Sequence, residues 1–290
     1  MTLHGPVLVG TDLSTAAEEA LRQGAQLANA LDSRLLVCHV IPELLPAGAF
    51  FAEFRRAHVG LEQSILAKAR AAVEEQLNTV LKDHPALDIV IDYGTPHVGL
   101  LSAADEKGAG AIVVGPGAVA LDIARHASGG VLVARRTARG PVLGATDFSD
   151  PSLPVLHVAA SEARRRGVPL HLLHVFDPVV FTERRAPATA MPYLEDRSWI
   201  ALEGLDQLRA VALQRLEDLL HEAGVPGEVA VLAGFAPDVI IQRAEAVGAE
   251  LVVVGTHGRS GFQRLTLGST AVSVIEQAPS SVLVMRLAAK

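Results

Sequence analysis

Gly255-Thr256-His257-Gly258, followed after nine intervening residues by Gly268-Ser269, is the stretch of this chain best suited to hold a charged ligand. It follows the apolar run Leu251-Val252-Val253-Val254 and precedes a helix-like run from Thr270 to Gln277. A strand that empties into a glycine-rich loop and then a helix start points bare backbone N–H groups and the positive end of a helix dipole at one place, which is how phosphate is held. The loop carries Arg259 and Arg264 and no acidic residue, although the chain as a whole has a formal charge of -7. Local positive charge in an acidic protein suits a bound polyphosphate. The bland reading of the same glycines is a mobile surface turn, because short motifs also match by chance.

Other residues with chemical potential are fewer. Asp12 and Asp147 each follow an apolar run and precede a helix-like stretch, where an aspartate either meets a ligand or caps the helix. Ser269 is open to the same two readings. His171 and His174 look like a ligand pair, but three residues apart on a strand they point to opposite faces, so a metal site there is not expected. Cys38, the only cysteine, lies within Leu35-Leu36-Val37-Cys38 and reads as a small buried residue. The clusters Arg135, Arg136, Arg139 and Arg164 to Arg166 read as solvated helix ends or linker.

The elements that must position these residues occur twice. Gly10-Thr11-Asp12-Leu13-Ser14 is matched by Ala145-Thr146-Asp147-Phe148-Ser149, and Leu36-Val37-Cys38-His39-Val40 by His171-Leu172-Leu173-His174-Val175. Asp92-Tyr93-Gly94-Thr95-Pro96 answers Leu232-Ala233-Gly234-Phe235-Ala236, and Ala111-Ile112-Val113-Val114-Gly115 answers Leu251-Val252-Val253-Val254-Gly255. Strands are predicted near 6–10, 34–40, 87–92, 111–114 and 131–134, and again near 141–145, 169–175, 228–232, 250–254 and 282–286. Helices are predicted between them, among them 15–31 with Ser14 as cap, 61–81 and 202–220. Alternating strands and helices imply a parallel sheet with right-handed crossovers and helices on both faces. The predicted fold is α/β, a doubly wound five-stranded parallel sheet built twice, with domains at 1–138 and 139–290.

Ligands of such sheets collect outside the carboxyl ends of the strands, where the strand order reverses. Asp147 and the Gly255 loop therefore converge if the first and fourth strands of their unit are neighbours. The halves differ between the fourth and fifth strands, where the first half is eleven residues shorter (115 to 131 against 255 to 282). What remains there begins Gly115-Pro116-Gly117-Ala118, and Pro116 has no amide to offer. One competent site per chain is expected, in the second half.

Composition sets the outer bounds. Half of the residues are hydrophobic and only 4% are aromatic, so the cores must be built from Val, Leu, Ile and Ala. The acidic balance argues against nucleic acid as a partner. No apolar run approaches the ~20 residues needed to cross a bilayer, and residues 1–14 carry no secretory pattern, so a cytoplasmic location is expected. The apolar strands 131–134 and 281–285 would pair with another chain or half if they lie at sheet edges. With a linker as short as 135–140, the halves are expected to pack as an internal pseudo-dimer. The segment 181–197 reads as a loop excursion.

With these residues in hand, the chain resembles a tandem universal stress protein, one family domain per half. The family's ATP-binding pattern stands intact as Gly255, Gly258, Gly268 and Ser269, accompanied by Asp147 and His174-Val175. The resemblance implies a Rossmann-like fold with the halves paired through their last strands, and bound ATP or another adenine nucleotide with Mg²⁺. It places the backbone of Val175 at the adenine edge and Ala145, Thr146 and Asp147 along adenine and ribose. Val254, Gly255, His257 and Gly258 would border ribose and phosphates, Arg259 the outer phosphates, and Gly268, Ser269 and Thr270 would meet them at the helix start. No general base stands near the loop beyond Asp147 and His257, so rapid hydrolysis is not expected and no catalytic residue is assigned. The expectation is a nucleotide-dependent stress-response regulator whose partners are the nucleotide and a second protein or copy. The alternatives are an adenylyl-transferring or slowly hydrolysing enzyme, and an interaction module indifferent to nucleotide.

Overall fold

A computed structural model of the chain describes residues 5–42, 52–81, 87–149, 152–176, 198–256 and 267–286. In the first half the elements are β1 (Val7–Gly10), α1 (Thr15–Ala30), β2 (Leu35–Ile41), α2 (Ala52–Val80), β3 (Leu87–Tyr93), α3 (Pro96–Lys107), β4 (Ala111–Val114), α4 (Ala118–His126) and β5 (Gly130–Val133). The second half continues with β6 (Val142–Thr146), α5 (Leu153–Arg166), β7 (Leu170–Phe176), α6 (Ser198–Ala223), β8 (Gly227–Ala233), α7 (Ala236–Ala246), β9 (Leu251–Gly255), α8 (Ser269–Gln277) and β10 (Ser281–Met285). The predicted strands lie within a residue of those observed. The long helices run further toward their N-termini than predicted, α2 from 52 and α6 from 198. The predicted excursion at 181–197 lies outside the described residues.

The chain divides into two compact units, Thr2–Arg136 with Ser281–Arg286, and Thr137–Ser280. In the first the strand order is β3-β2-β1-β4-β5, all parallel, and β10 is added antiparallel to β5. Val282, Leu283 and Val284 sit opposite Val133, Leu132 and Val131. Two apolar strands that would be exposed edges on their own are thus paired with each other, as the exposed N–H and C=O rows of such strands favour. Ser281 fixes the register, its hydroxyl donating to the Arg135 carbonyl and to Oε1 of Gln23, whose amide also donates to the Arg135 carbonyl at 2.9 Å.

The second unit has the order β8-β7-β6-β9, again parallel. In both units the chain winds outward through three strands and returns to the other side of the first, so β1 neighbours β4 and β6 neighbours β9. That reversal is what a doubly wound sheet requires of a ligand crevice. Helices pack in pairs, α1 beside α2 and α3 beside α4, then α5 beside α6 and α7 beside α8. The central strands are buried on both faces: Val7, Leu8 and Val9 in β1 and Leu251, Val252 and Val253 in β9 are all fully buried. Continuous Val/Leu/Ile runs, rather than alternation, follow from helices covering both sides of a parallel sheet.

Cys38 is fully buried in β2, and burial followed by the nearby Asp92 carboxylate pushes its thiol up to about 12. Nucleophilic reactivity needs the thiolate. Native protein is therefore expected to resist a thiol reagent such as DTNB at pH 8 and to react with one equivalent only after denaturation; prompt labelling of the native chain would contradict this burial.

Candidate functional site

The second unit brings the expected site residues to one end of the sheet. Ala145 and Thr146 close β6, Val175 is the penultimate residue of β7, and Val254 and Gly255 close β9. Because β6 lies between β7 and β9, three adjacent strands present their carboxyl ends side by side. Strand spacing of about 4.8 Å makes this rim about 10 Å wide. His257, Gly258 and Arg259, with the rest of 257–266, lie outside the described residues.

The loop after β6 is held in an uncommon shape. Phe148 has φ +59°, a left-handed conformation that costs a bulky L-residue energy and persists only where neighbours enforce it. They do so here: the Thr146 hydroxyl accepts from the Phe148 N–H at 3.0 Å, and Asp147 Oδ1 accepts from the Ser149 N–H at 3.0 Å and from its hydroxyl at 2.6 Å. The Phe148 ring rests on the buried His174, centroids 4.6 Å apart, and His174 Nδ1 lies 2.8 Å from the Thr146 carbonyl. Asp147 thus closes an Asx turn and is not the cap of α5, whose N-cap is Ser152. Ser149 belongs to the repeated motif, whereas Ser152 was not foreseen from sequence. Ser152 Oγ donates to the Ser149 carbonyl at 2.9 Å and lies 2.8 Å from the Thr146 hydroxyl, completing the loop.

The same loop recurs after β1. Leu13 has φ +67°, Thr11 accepts from the Leu13 N–H, and Asp12 Oδ1 accepts from the Ser14 N–H, each at 3.0 Å. Ser14 caps α1 as expected, accepting from the Ala17 N–H. The fastening differs in one respect. Thr11 donates to Gln76 of α2 at 2.7 Å, a long-range partner that Thr146 replaces with Ser152.

The start of α8 lies at the carboxyl end of β9, the strand beside β6. Its N-cap is Gly268 rather than Ser269, which occupies the first helical position, and no side chain caps the end. The Gly268 N–H is held by the Thr256 carbonyl at 2.8 Å, and the Gly268 carbonyl takes the Val272 N–H at 3.0 Å. A helix's first turn leaves donors without intrahelical acceptors, here the amides of Ser269, Thr270 and Ala271. A Cβ on Gly268 would stand 3.1 Å from the Thr256 carbonyl oxygen, so glycine lets the two backbones close against each other. The first unit offers a contrasting end: α4 starts directly after Gly115-Pro116-Gly117, with Gly117 at φ +144°.

Charge pins the other end of the same strands. Glu162 and Glu250 are both buried. Glu162 accepts from Arg165 and from Arg166 Nε at 3.1 Å, Arg166 reaches Glu250 at 3.0 Å, and Glu250 Oε2 accepts from the Gly140 N–H at 3.1 Å. Burial pushes the Glu162 carboxyl up, but its hydrogen bonds and charge attraction with Arg165 and Arg166 outweigh this and hold it below the ordinary range. The Arg164–Arg166 run is a helix end, as expected, with Arg164 exposed and Arg165 and Arg166 partly buried in this network. Gly140 stands two residues before β6 and Glu250 directly before β9, so this network ties together the entry points of the two strands whose far ends carry the expected site residues.

His171 and His174 serve different surroundings. His171 pairs in register with Glu228, and its Nδ1 is buried without a hydrogen-bond partner among the described residues. Desolvation lowers its pKa, against the Glu228 carboxylate, which raises it, while Arg243 adds to the lowering.

Comparison with known proteins agrees with this geometry. A family model described as the universal stress protein family matches residues 4–135 and 139–286. A universal stress protein of Mycolicibacterium smegmatis is 29% identical over 315 residues, covering 97% of this chain and 96% of that one. A shorter universal stress protein of Thermus aquaticus is 32% identical over 146 residues, covering 50% of this chain and 97% of its own. The crystal structure of a universal stress protein from Archaeoglobus fulgidus matches with a TM-score of 0.65 at 19% identity, over 97% of this chain and 96% of that one, a likeness of fold.

Proposed function

The chain belongs to the universal stress protein family, one family domain in each half, and from that premise we propose that its second half binds ATP and passes nucleotide occupancy to a protein surface. The observation that carries the reading is the meeting of three strand ends with a glycine-capped helix start. The start of α8 is tied to the residue after β9, and β9, β6 and β7 are neighbours in the sheet, so a base and ribose at the ends of β7 and β6 and a phosphate chain at the amides of Ser269, Thr270 and Ala271 would have partners of the right kind. His257, Gly258 and Arg259 would complete the phosphate side.

The residues fit a magnesium nucleotide better than a resident metal. Among the described residues no group of three His, Cys, Asp or Glu side chains is placed to hold an ion. Mg²⁺ keeps much of its water and is commonly held by one or two carboxylates together with the nucleotide's own phosphates. Asp147 would supply that carboxylate. No helix among the described residues is long and apolar enough to cross a membrane.

Binding to the folded chain alone raises its stability by mass action, about 2.7 kcal/mol when ligand exceeds Kd a hundredfold. We expect millimolar ATP with Mg²⁺ to raise the unfolding temperature by several degrees, and the gain to vanish when Gly258 and Ser269 are replaced. An unchanged unfolding temperature in the wild-type chain would remove the support for this function. Regulation adds a second requirement, that partner binding change with nucleotide; an interaction that ignores both ATP and these replacements would reduce the protein to a nucleotide-indifferent module.

A further inference from the structure

The rim of the second unit carries three phenylalanines at positions where the first unit has none, its own strand-end ring being Tyr93 at the close of β3. Phe148, Phe176 and Phe235 follow or end β6, β7 and β8, where the matching residues of the first unit are Leu13, Ile41 and Thr95. In a chain that is only 4% aromatic, three phenylalanines at three successive strand ends are a local concentration. Phe148 and Phe176 are half-buried, whereas Phe235 is 60% exposed.

Phe235 is costly where it stands. It is the N-cap of α7, a position that favours Ser, Thr, Asp or Asn, and it provides no cap. Gly234 before it has φ +144°, and its N–H is held by the Phe176 carbonyl at 3.0 Å, so the turn that sends Phe235 outward is anchored to the end of β7. A large apolar side chain that is 60% exposed at a poor helix-capping position breaks two local rules with little gain in packing among the described residues. Such breaches concentrate where function demands them.

We propose that Phe235 is a specificity residue of the second-unit site, presenting the ring face on which the purine of the bound nucleotide stacks. This rests on the ATP-binding reading above. Phe235 lies one strand beyond Val175, while the amides of α8 lie beyond β6 on the opposite side, so base, ribose and phosphates would run along the rim from β8 toward β9. Ring stacking rewards the larger purine surface and is indifferent to phosphate. It therefore sets base preference, leaving the phosphate contacts as they are.

The test is calorimetric titration of the full chain with ATP and with UTP, in wild type and in Phe235→Thr, Phe235→Leu and Phe235→Tyr. Phe235→Thr and Phe235→Leu should weaken ATP about tenfold while changing UTP little. Phe235→Tyr should restore the ATP affinity, and Phe235→Thr should unfold no earlier than wild type, since threonine is the better cap. Unchanged ATP affinity in a wild-type chain that does bind overturns this inference and spares the functional reading. An equal loss of ATP and UTP overturns it in favour of a structural role, and a wild-type chain that binds neither overturns both.

Discussion

Glu162→Ala is expected to destabilise the second unit by about 3 kcal/mol, measured as a lower denaturant midpoint. Removing one member of a buried charge network typically costs 3–5 kcal/mol, because the partner charges stay behind without compensation. The lower end applies here, since Arg165 keeps a side-chain exposure of 22% and Arg166 keeps Glu250. The sign of the pH dependence follows from the depressed carboxyl. A group held below its unfolded value contributes stability that is fully present above the unfolded glutamate pKa of about 4.3 and is lost as pH falls through the folded value. Glu162→Gln should therefore flatten the acid side of the stability profile. A variant that unfolds with wild-type midpoint and wild-type acid dependence would show the network to be inert.

The second large effect concerns the Asp147 loop. Asp147→Ala removes the acceptor of two Ser149 hydrogen bonds and loosens the turn at Phe148, leaving the Thr146 hydroxyl to hold the Phe148 N–H. Hydrogen bonds to charged groups are worth about 1.5–3 kcal/mol, so losing one that this carboxylate would make to the nucleotide corresponds to a loss of ATP affinity of about 10- to 100-fold. Asp12→Ala is the matched control. It removes the same turn from the first unit, where Asp12 accepts from Ser14, and should lower stability while leaving ATP affinity where it was. Titration calorimetry on the pair separates the two roles of aspartate: equal ATP affinity in both variants would confine Asp147 to loop structure.

Much of this architecture was legible in the sequence because local rules and the repeat agree. Two-sided burial writes continuous apolar runs such as Leu251–Val254, and the repeated Thr-Asp-x-Ser after the first strand marks one loop twice. The order of elements then fixes where a crevice must fall. What escaped was non-local. Nothing near Arg164–Arg166 announces that Glu162 is buried beneath them or that Glu250, far along the chain, joins the pair. Pairing of 281–285 with 130–133 was expected from their apolar edges and from the resemblance, but its antiparallel register joins chain segments about 150 residues apart, which strand periodicity cannot specify. The choice of Gly268 over Ser269 as cap was hidden for a different reason: both residue types cap helices, and only the hold of Thr256 on the Gly268 amide decides between them. Phe235 was visible only by difference, as the ring that stands where the other half has threonine.

The claim on which the rest depends is a single ATP site built by the second unit. Titration calorimetry of the full chain with ATP and Mg²⁺ tests it most directly, because it reads affinity and stoichiometry together. The account predicts one ATP per chain, abolished when Gly258 and Ser269 are replaced and retained when Gly115 and Gly117 are. No heat of binding at millimolar ATP, or a stoichiometry that survives the Gly258 and Ser269 replacements, would contradict it.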